Sequence, residues 1–115
     1  MGEGRDMKEK IQQKLEGVTL EIDSLGTSYK TFFRVGQYSN GRIALELITD
    51  DKYQECFAVL TVNLPEIKIG ENNIIVKTWS ENKNVAKAAL ASGKFIDTGK
   101  RIPTGFVEAQ VWEVK

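Results

Sequence analysis

Tyr38 to Pro65 reads YSNGRIALELITDDKYQECFAVLTVNLP and dictates a backbone path almost residue by residue. Asn40-Gly41 accepts positive φ at two successive positions with little steric cost, which is what a tight hairpin turn requires. Ile43, Leu45 and Leu47 then alternate with Ala44 and Glu46. Beyond an Asp50-Asp51-Lys52 turn, Ala58, Leu60, Val62 and Leu64 alternate with Val59, Thr61 and Asn63. A period of two turns one strand face toward a core. The strand entering Asn40-Gly41 and the two leaving it make a three-stranded antiparallel meander.

Upstream, a strand over Tyr29–Tyr38 sets Tyr29, Thr31, Phe33 and Val35 on one face and Phe32 on the other, among Lys30, Arg34 and Gln37. Val18, Leu20 and Ile22 alternate with Thr19, Glu21 and Asp23 in a half-buried strand that Gly26 ends. Ahead of it, Met7, Ile11 and Leu15 recur every four residues, a thin apolar stripe on an N-terminal helix within residues 1–16 that stops at Gly17. So short a helix must dock to persist, and its first residues are expected to fray.

Downstream, Pro65 removes a ladder donor, Gly70-Glu71-Asn72-Asn73 reads as a turn, and Ile74–Trp79 is β-branched enough to re-enter a sheet. A second helix follows, with Ser80 or Asn82 as its cap, Val85, Ala86, Ala89 and Leu90 on one face, and Lys83 and Lys87 on the other. Gly93 is placed to leave it in a left-handed conformation. Two last strands, near Phe95–Ile102 and Phe106–Val114, flank Pro103-Thr104-Gly105; in the final one Val107, Ala109 and Val111 oppose Phe106 and Trp112, so both faces should be covered. The expectation is one α+β domain over residues 1–115: an antiparallel sheet of six or seven strands with one or two helices packed on one face.

At 115 residues with 41% hydrophobic side chains, the chain can bury one core. Sixteen basic and sixteen acidic residues cancel, so no whole-molecule field draws phosphate or anionic lipid. The charge is nonetheless uneven: Lys68 to Arg101 holds seven basic and three acidic residues, Arg42 to Glu66 two basic and five acidic. The single cysteine, Cys56, rules out an internal disulfide and a multi-cysteine zinc site, which fits a reducing compartment. No run approaches the roughly 20 apolar residues of a membrane span, and Met1 to Asp6 lacks the apolar core of a secretory signal. A cytoplasmic protein without membrane attachment or cofactor is the expectation.

Chemistry-bearing motifs are few. Asp97-Thr98-Gly99 after Phe95-Ile96 resembles the Asp-Thr-Gly signature of aspartic proteases, but only sixteen residues follow Gly99, too few for the covering hairpin and strands such a dimeric enzyme needs. A turn is the plainer reading. With no histidine in the chain, the usual neutral-pH base and the commonest metal ligand are missing. Cys56 lacks an evident activating base, and Asp50, Asp51 and Glu55 lack the ordered spacing of a calcium loop. An enzyme would have to be of unfamiliar kind, built on Asp97, Glu81 or Cys56.

Trp79-Ser80-Glu81-Asn82 places an aromatic ring, a hydroxyl and an amide at a strand-to-helix corner, where they either bind a partner or serve core and cap. Lys83, Lys87, Lys94, Lys100 and Arg101 form the one candidate basic patch. The combination of Tyr38-Ser39-Asn40-Gly41-Arg42, Leu60 to Pro65, Trp79 to Asn82, Asp97-Thr98-Gly99 and Gly105-Phe106-Val107 resembles a family of small bacterial proteins, a domain of unknown function encoded largely by Gram-positive bacteria and their conjugative elements. That resemblance covers most of the chain beyond Tyr29 and implies a cytoplasmic accessory protein carried on mobile elements, with no catalytic residues to transfer. Absent catalytic groups and abundant strand edges point to a non-enzymatic module that binds a protein partner or itself through Phe32, Trp79, Asn82, Lys83, Lys87 and Arg101. The alternative is a nucleic-acid-associated factor contacting phosphates along Lys83 to Arg101.

Overall fold

The computed structural model describes residues 3–115, with residues 3–6 described by their backbone alone. In chain order the elements are α1 (Glu3–Leu15), β1 (Thr19–Ser24), β2 (Thr27–Gln37), β3 (Ile43–Thr49), β4 (Cys56–Val59), β5 (Asn73–Val76), α2 (Asn82–Ala91), β6 (Phe95–Thr104) and β7 (Val107–Val114). The architecture is α+β and every strand pair is antiparallel. The strands form two sheets, ordered β1-β2-β3-β4 and β5-β7-β6, which corrects the expectation of a single six- or seven-stranded sheet. Of the helix's first residues, expected to fray, Met1 and Gly2 lie outside the described residues.

The division falls inside the opening stretch. Strand pairing with β3 was expected to run to Leu64, but β4 stops at Val59. Leu60 N–H still donates to Leu45 O at 2.9 Å. In a regular antiparallel pair Leu45 N–H would return the bond to Leu60 O. Instead it donates to the Thr61 hydroxyl at 3.1 Å, and Leu60 O accepts from Lys77 N–H at 2.9 Å. Val62 N–H to Ile75 O at 3.0 Å completes a bridge between Thr61 and Val76. One side-chain oxygen thus replaces one carbonyl and hands the chain from the first sheet to the second. Thr61 is 3% exposed and also hydrogen-bonds the Tyr38 hydroxyl at 3.0 Å.

The meander turns also differ in detail from the two-residue turn expected at Asn40-Gly41. Gly41 alone takes positive φ, at 86°; Tyr38 N–H donates to Arg42 O, and Gly41 N–H to Tyr38 O. This is a three-residue loop, Ser39 to Gly41, in which the Asn40 side chain accepts from Arg42 N–H. Arg42 donates to the carbonyls of Leu64 and Ile67, and Asn40 Nδ2 to Asn63 Oδ1 at 3.2 Å, so the hairpin tip fastens the segment that follows the handover. That segment lays Val62, Leu64, Ile67 and Ile69 over Ile75, Ile102, Ala109 and Val111 on the outer face of the second sheet.

The inner faces of both sheets share the larger core. Ile11 and Leu15 of α1 and Val85, Ala86 and Ala89 of α2 meet Leu20, Ile22, Leu45 and Leu47 from the first sheet and Ile74, Val76 and Trp112 from the second. Phe33, Phe95 and Trp112 form a relay of rings, with centroids 5.7 and 5.6 Å apart, that joins the sheets. The second sheet is therefore covered on both faces, as the last strand's alternation implied. Leu90, expected on the buried face of α2, is 36% exposed.

Two asparagines on α2 close the first sheet. Asn82, only 2% exposed, donates from Nδ2 to Val59 O at 2.7 Å and Lys77 O at 3.2 Å. Asn84 Nδ2 donates to Asp23 O at 3.2 Å. Val59 and Asp23 lie on opposite edge strands, β4 and β1, so α2 draws both edges toward its first turn. Leaving a buried polar group unpaired costs about 1–3 kcal/mol. Thr61→Val, which keeps the shape and removes the hydroxyl, and Asn82→Ala should each lower unfolding free energy in urea by about that amount. A loss within the ±0.5 kcal/mol of ordinary surface substitutions would show that the two sheets are joined by something else.

Candidate functional site

Helix α2 separates two hollows. A cleft of about 540 Å³ lies between β1, β4 and the start of α2, walled by Ile22, Leu25, Phe57, Ala58 and Val85, with Ser80 and Glu81 at its end. A groove of about 420 Å³ runs along the other flank, against β7, over Ala86, Leu90 and Trp112. Lys83 and Asn84 line both, so the two form one continuous surface.

Leu25 is the unexpected member. Only two residues, Leu25 and Gly26, join β1 to β2, with φ of 51° and 81°. That is the I′ arrangement, in which Asn or Asp normally precedes Gly because a branched apolar side chain is disfavoured at positive φ by about 1–2 kcal/mol. The Leu25 side chain is fully exposed, so no packing offsets the cost. The signal was present in the sequence as Leu-Gly where a two-residue turn wants Asn-Gly, but recognising it requires knowing that strand pairing reaches Ser24 and Thr27.

On α2 one charge runs against the helix's own field. No acidic residue occupies the first turn. Lys83 sits there, where the macrodipole disfavours a cation by about 0.3–1 kcal/mol. Lys87 lies one turn further at i+4, a like-charge spacing that costs a few tenths more, about 0.2–0.5 kcal/mol. Glu81, at the cap position, points to Lys77 at 3.9 Å. Gln110 accepts from Trp112 Nε1 at 2.9 Å, which fixes its amide and leaves its NH₂ free to donate into the groove.

The other expected site residues are dispersed. Asn82 faces inward, as described. Trp79 is half-buried against the outer face of the second sheet, and Ser80 takes φ of 54°. Neither Ser80 nor Asn82 caps α2, whose cap position is Glu81 without a side-chain bond. Phe32 lines a separate groove between α1 and β2. Arg101 is held by Asp97 through two bonds of 2.8 Å. The structure therefore brings together Lys83 and Lys87, and separates Phe32 and Arg101 from them.

Asp97-Thr98-Gly99 forms a bulge in β6: Thr98, Gly99 and Lys100 stand against Val111 alone. Gly99 takes φ of 88° and donates to Asp97 Oδ1, and Thr98 Oγ1 donates to Val111 O at 2.7 Å. The Arg101 guanidinium holds the Asp97 carboxyl below its usual range, as Arg34 does for Glu46. Cys56 is exposed at the start of β4, not tucked in as a small apolar residue, and partial covering of its thiol with Glu46 beside it raises its pKa. A thiol so placed stays protonated and is a poor nucleophile. Among the described residues no three His, Cys, Asp or Glu side chains gather as metal ligands, and no helix is long and apolar enough to cross a membrane.

The two depressed carboxyls give a pH dependence of definite sign. Unfolded, they bind protons more readily than folded, so their stabilisation is complete above the unfolded value near pH 4 and is lost as pH falls through the lower folded values. Thermal melts between about pH 5 and pH 2 should show a falling Tm, with a shallower fall for Asp97→Asn; identical slopes would show that the Asp97–Arg101 pair adds nothing. No family model, curated protein or solved structure matches the chain.

Proposed function

We propose that this chain is a non-enzymatic protein-interaction module, an accessory protein of the bacterial cytoplasm in keeping with its resemblance to mobile-element cargo. The partner sits on the exposed face of α2 and in the cleft that Leu25 borders. The observation that carries this reading is Leu25 itself: a fully exposed leucine at φ 51°, on a turn that Asn would relax, at the mouth of a cleft walled by Ile22, Phe57, Ala58 and Val85. Strain kept at an exposed apolar tip has no use in the isolated fold, and strained residues concentrate where a protein engages something else.

A nucleic-acid reading draws on Lys83 and Lys87. The pairing of Arg101 with Asp97, and Asp23 and Glu81 in the adjoining cleft, count against a continuous phosphate track there.

Leu25→Asn separates fold from function. Relieving the turn should raise stability by about 1 kcal/mol or more while weakening partner binding. The immobilised protein is exposed to a lysate of its host, retained proteins are identified by mass spectrometry, and each is purified and titrated calorimetrically against wild type and Leu25→Asn. A protein that binds wild type and loses affinity for the more stable variant supports the proposal. Failure of any purified candidate to rebind, or equal affinity for both forms, overturns it.

A further inference from the structure

Building on the interaction-module reading, we propose that the groove between α2 and β7 receives an acidic segment of the partner protein, with carboxylates set against Lys83 and Lys87. Three observations converge on that chemistry. First, the groove's charged lining consists of Lys83 and Lys87, with no carboxylate among the residues that form it. Second, two of its polar groups can donate, the Thr78 hydroxyl and the Gln110 amide whose oxygen is already occupied by Trp112 Nε1, while the Asn84 amide is turned to Asp23 O. Third, Lys83 stands in the first turn, where the helix field opposes positive charge, and Lys87 repels it from one turn further on, so an incoming anion relieves an unfavourable arrangement already present in the free protein.

The neighbouring cleft specifies the rest of the segment. Through Lys83 and Asn84 the groove continues into an apolar hollow walled by Ile22, Leu25, Phe57 and Val85. A segment spanning both therefore carries an apolar anchor next to its acids. Asp23 and Glu81 in that cleft oppose any anion, so the segment's acids lie in the groove and its apolar anchor in the cleft; a nucleic-acid duplex, with one backbone charge per about 1.7 Å, has no apolar group to place there.

The test uses the intact, ¹⁵N-labelled chain and two synthetic peptides, one alternating leucine with glutamate and one alternating leucine with lysine, together with a DNA duplex, each titrated to millimolar concentration. The leucine–glutamate peptide is expected to move the amide signals of Thr78, Lys83, Asn84, Lys87 and Gln110, less so as salt is raised. Lys83→Glu with Lys87→Glu should weaken it by about tenfold or more and turn the preference toward the lysine peptide. Both lysines are exposed, and a thermal melt of the doubly substituted protein confirms that the fold is kept. Equal response to the two peptides, no response to the acidic one, or stronger movement of the same signals by DNA overturns the proposal. A partner that needs Leu25 yet ignores the charge reversal would leave the interaction module standing and remove only the acidic segment.

Discussion

Leu60 makes half of a ladder step with Leu45 and the other half with Lys77, and the two sheets owe their arrangement to that division. The step closes only because the Thr61 hydroxyl stands in for the carbonyl that Leu45 N–H would otherwise use. Backbone groups buried without partners are costly enough that a chain leaving one sheet must satisfy the groups it abandons. Here a threonine satisfies the first sheet, Asn82 takes the carbonyl of Val59 just before the handover, and the freed Leu60 carbonyl starts the second sheet. The aromatic relay from Phe33 to Trp112 then fills the angle between the sheets.

Helix α2 serves both the fold and the proposed binding surface because its two sides carry different chemistry. Its inner side supplies apolar packing and the amide of Asn82; Asn84 reaches across to the β1 edge. Its outer side carries two exposed lysines. Because the asparagines hold the first turn to both edges of the first sheet, the lysines are presented on a fixed support, so a partner would not have to order them from a mobile loop.

Much of the fold was legible because short-range chemistry decides it. The four-residue spacing of Met7, Ile11 and Leu15, the alternation in β1 to β3, the Val85-Ala86-Ala89 face and the two-faced pattern of β7 all follow from periodicities that tertiary structure did not override. The split into two sheets was illegible for a physical reason: Val62 and Leu64 keep the same alternation whichever sheet they cover. The handover depends on a hydroxyl and on Lys77, a residue 17 positions from Leu60. Asn82 looked like an exposed corner residue because sequence cannot show two carbonyls converging on it. Lys83 and Lys87 were readable as one helix face, whereas the pairing that removes Arg101 from that set spans a bulge, whose extra residues leave no periodic mark.

The order in which residues emerge during synthesis gives the asparagine clamp another meaning. Residues 19–59 complete the four-stranded sheet, whose outermost strands expose unpaired main-chain groups until Asn82 and Asn84 arrive. At ribosomal rates those 25 further residues take on the order of one to five seconds. For that interval the nascent chain is open to edge-to-edge association with its neighbours, and a short helix translated later occupies one carbonyl on each of those edges.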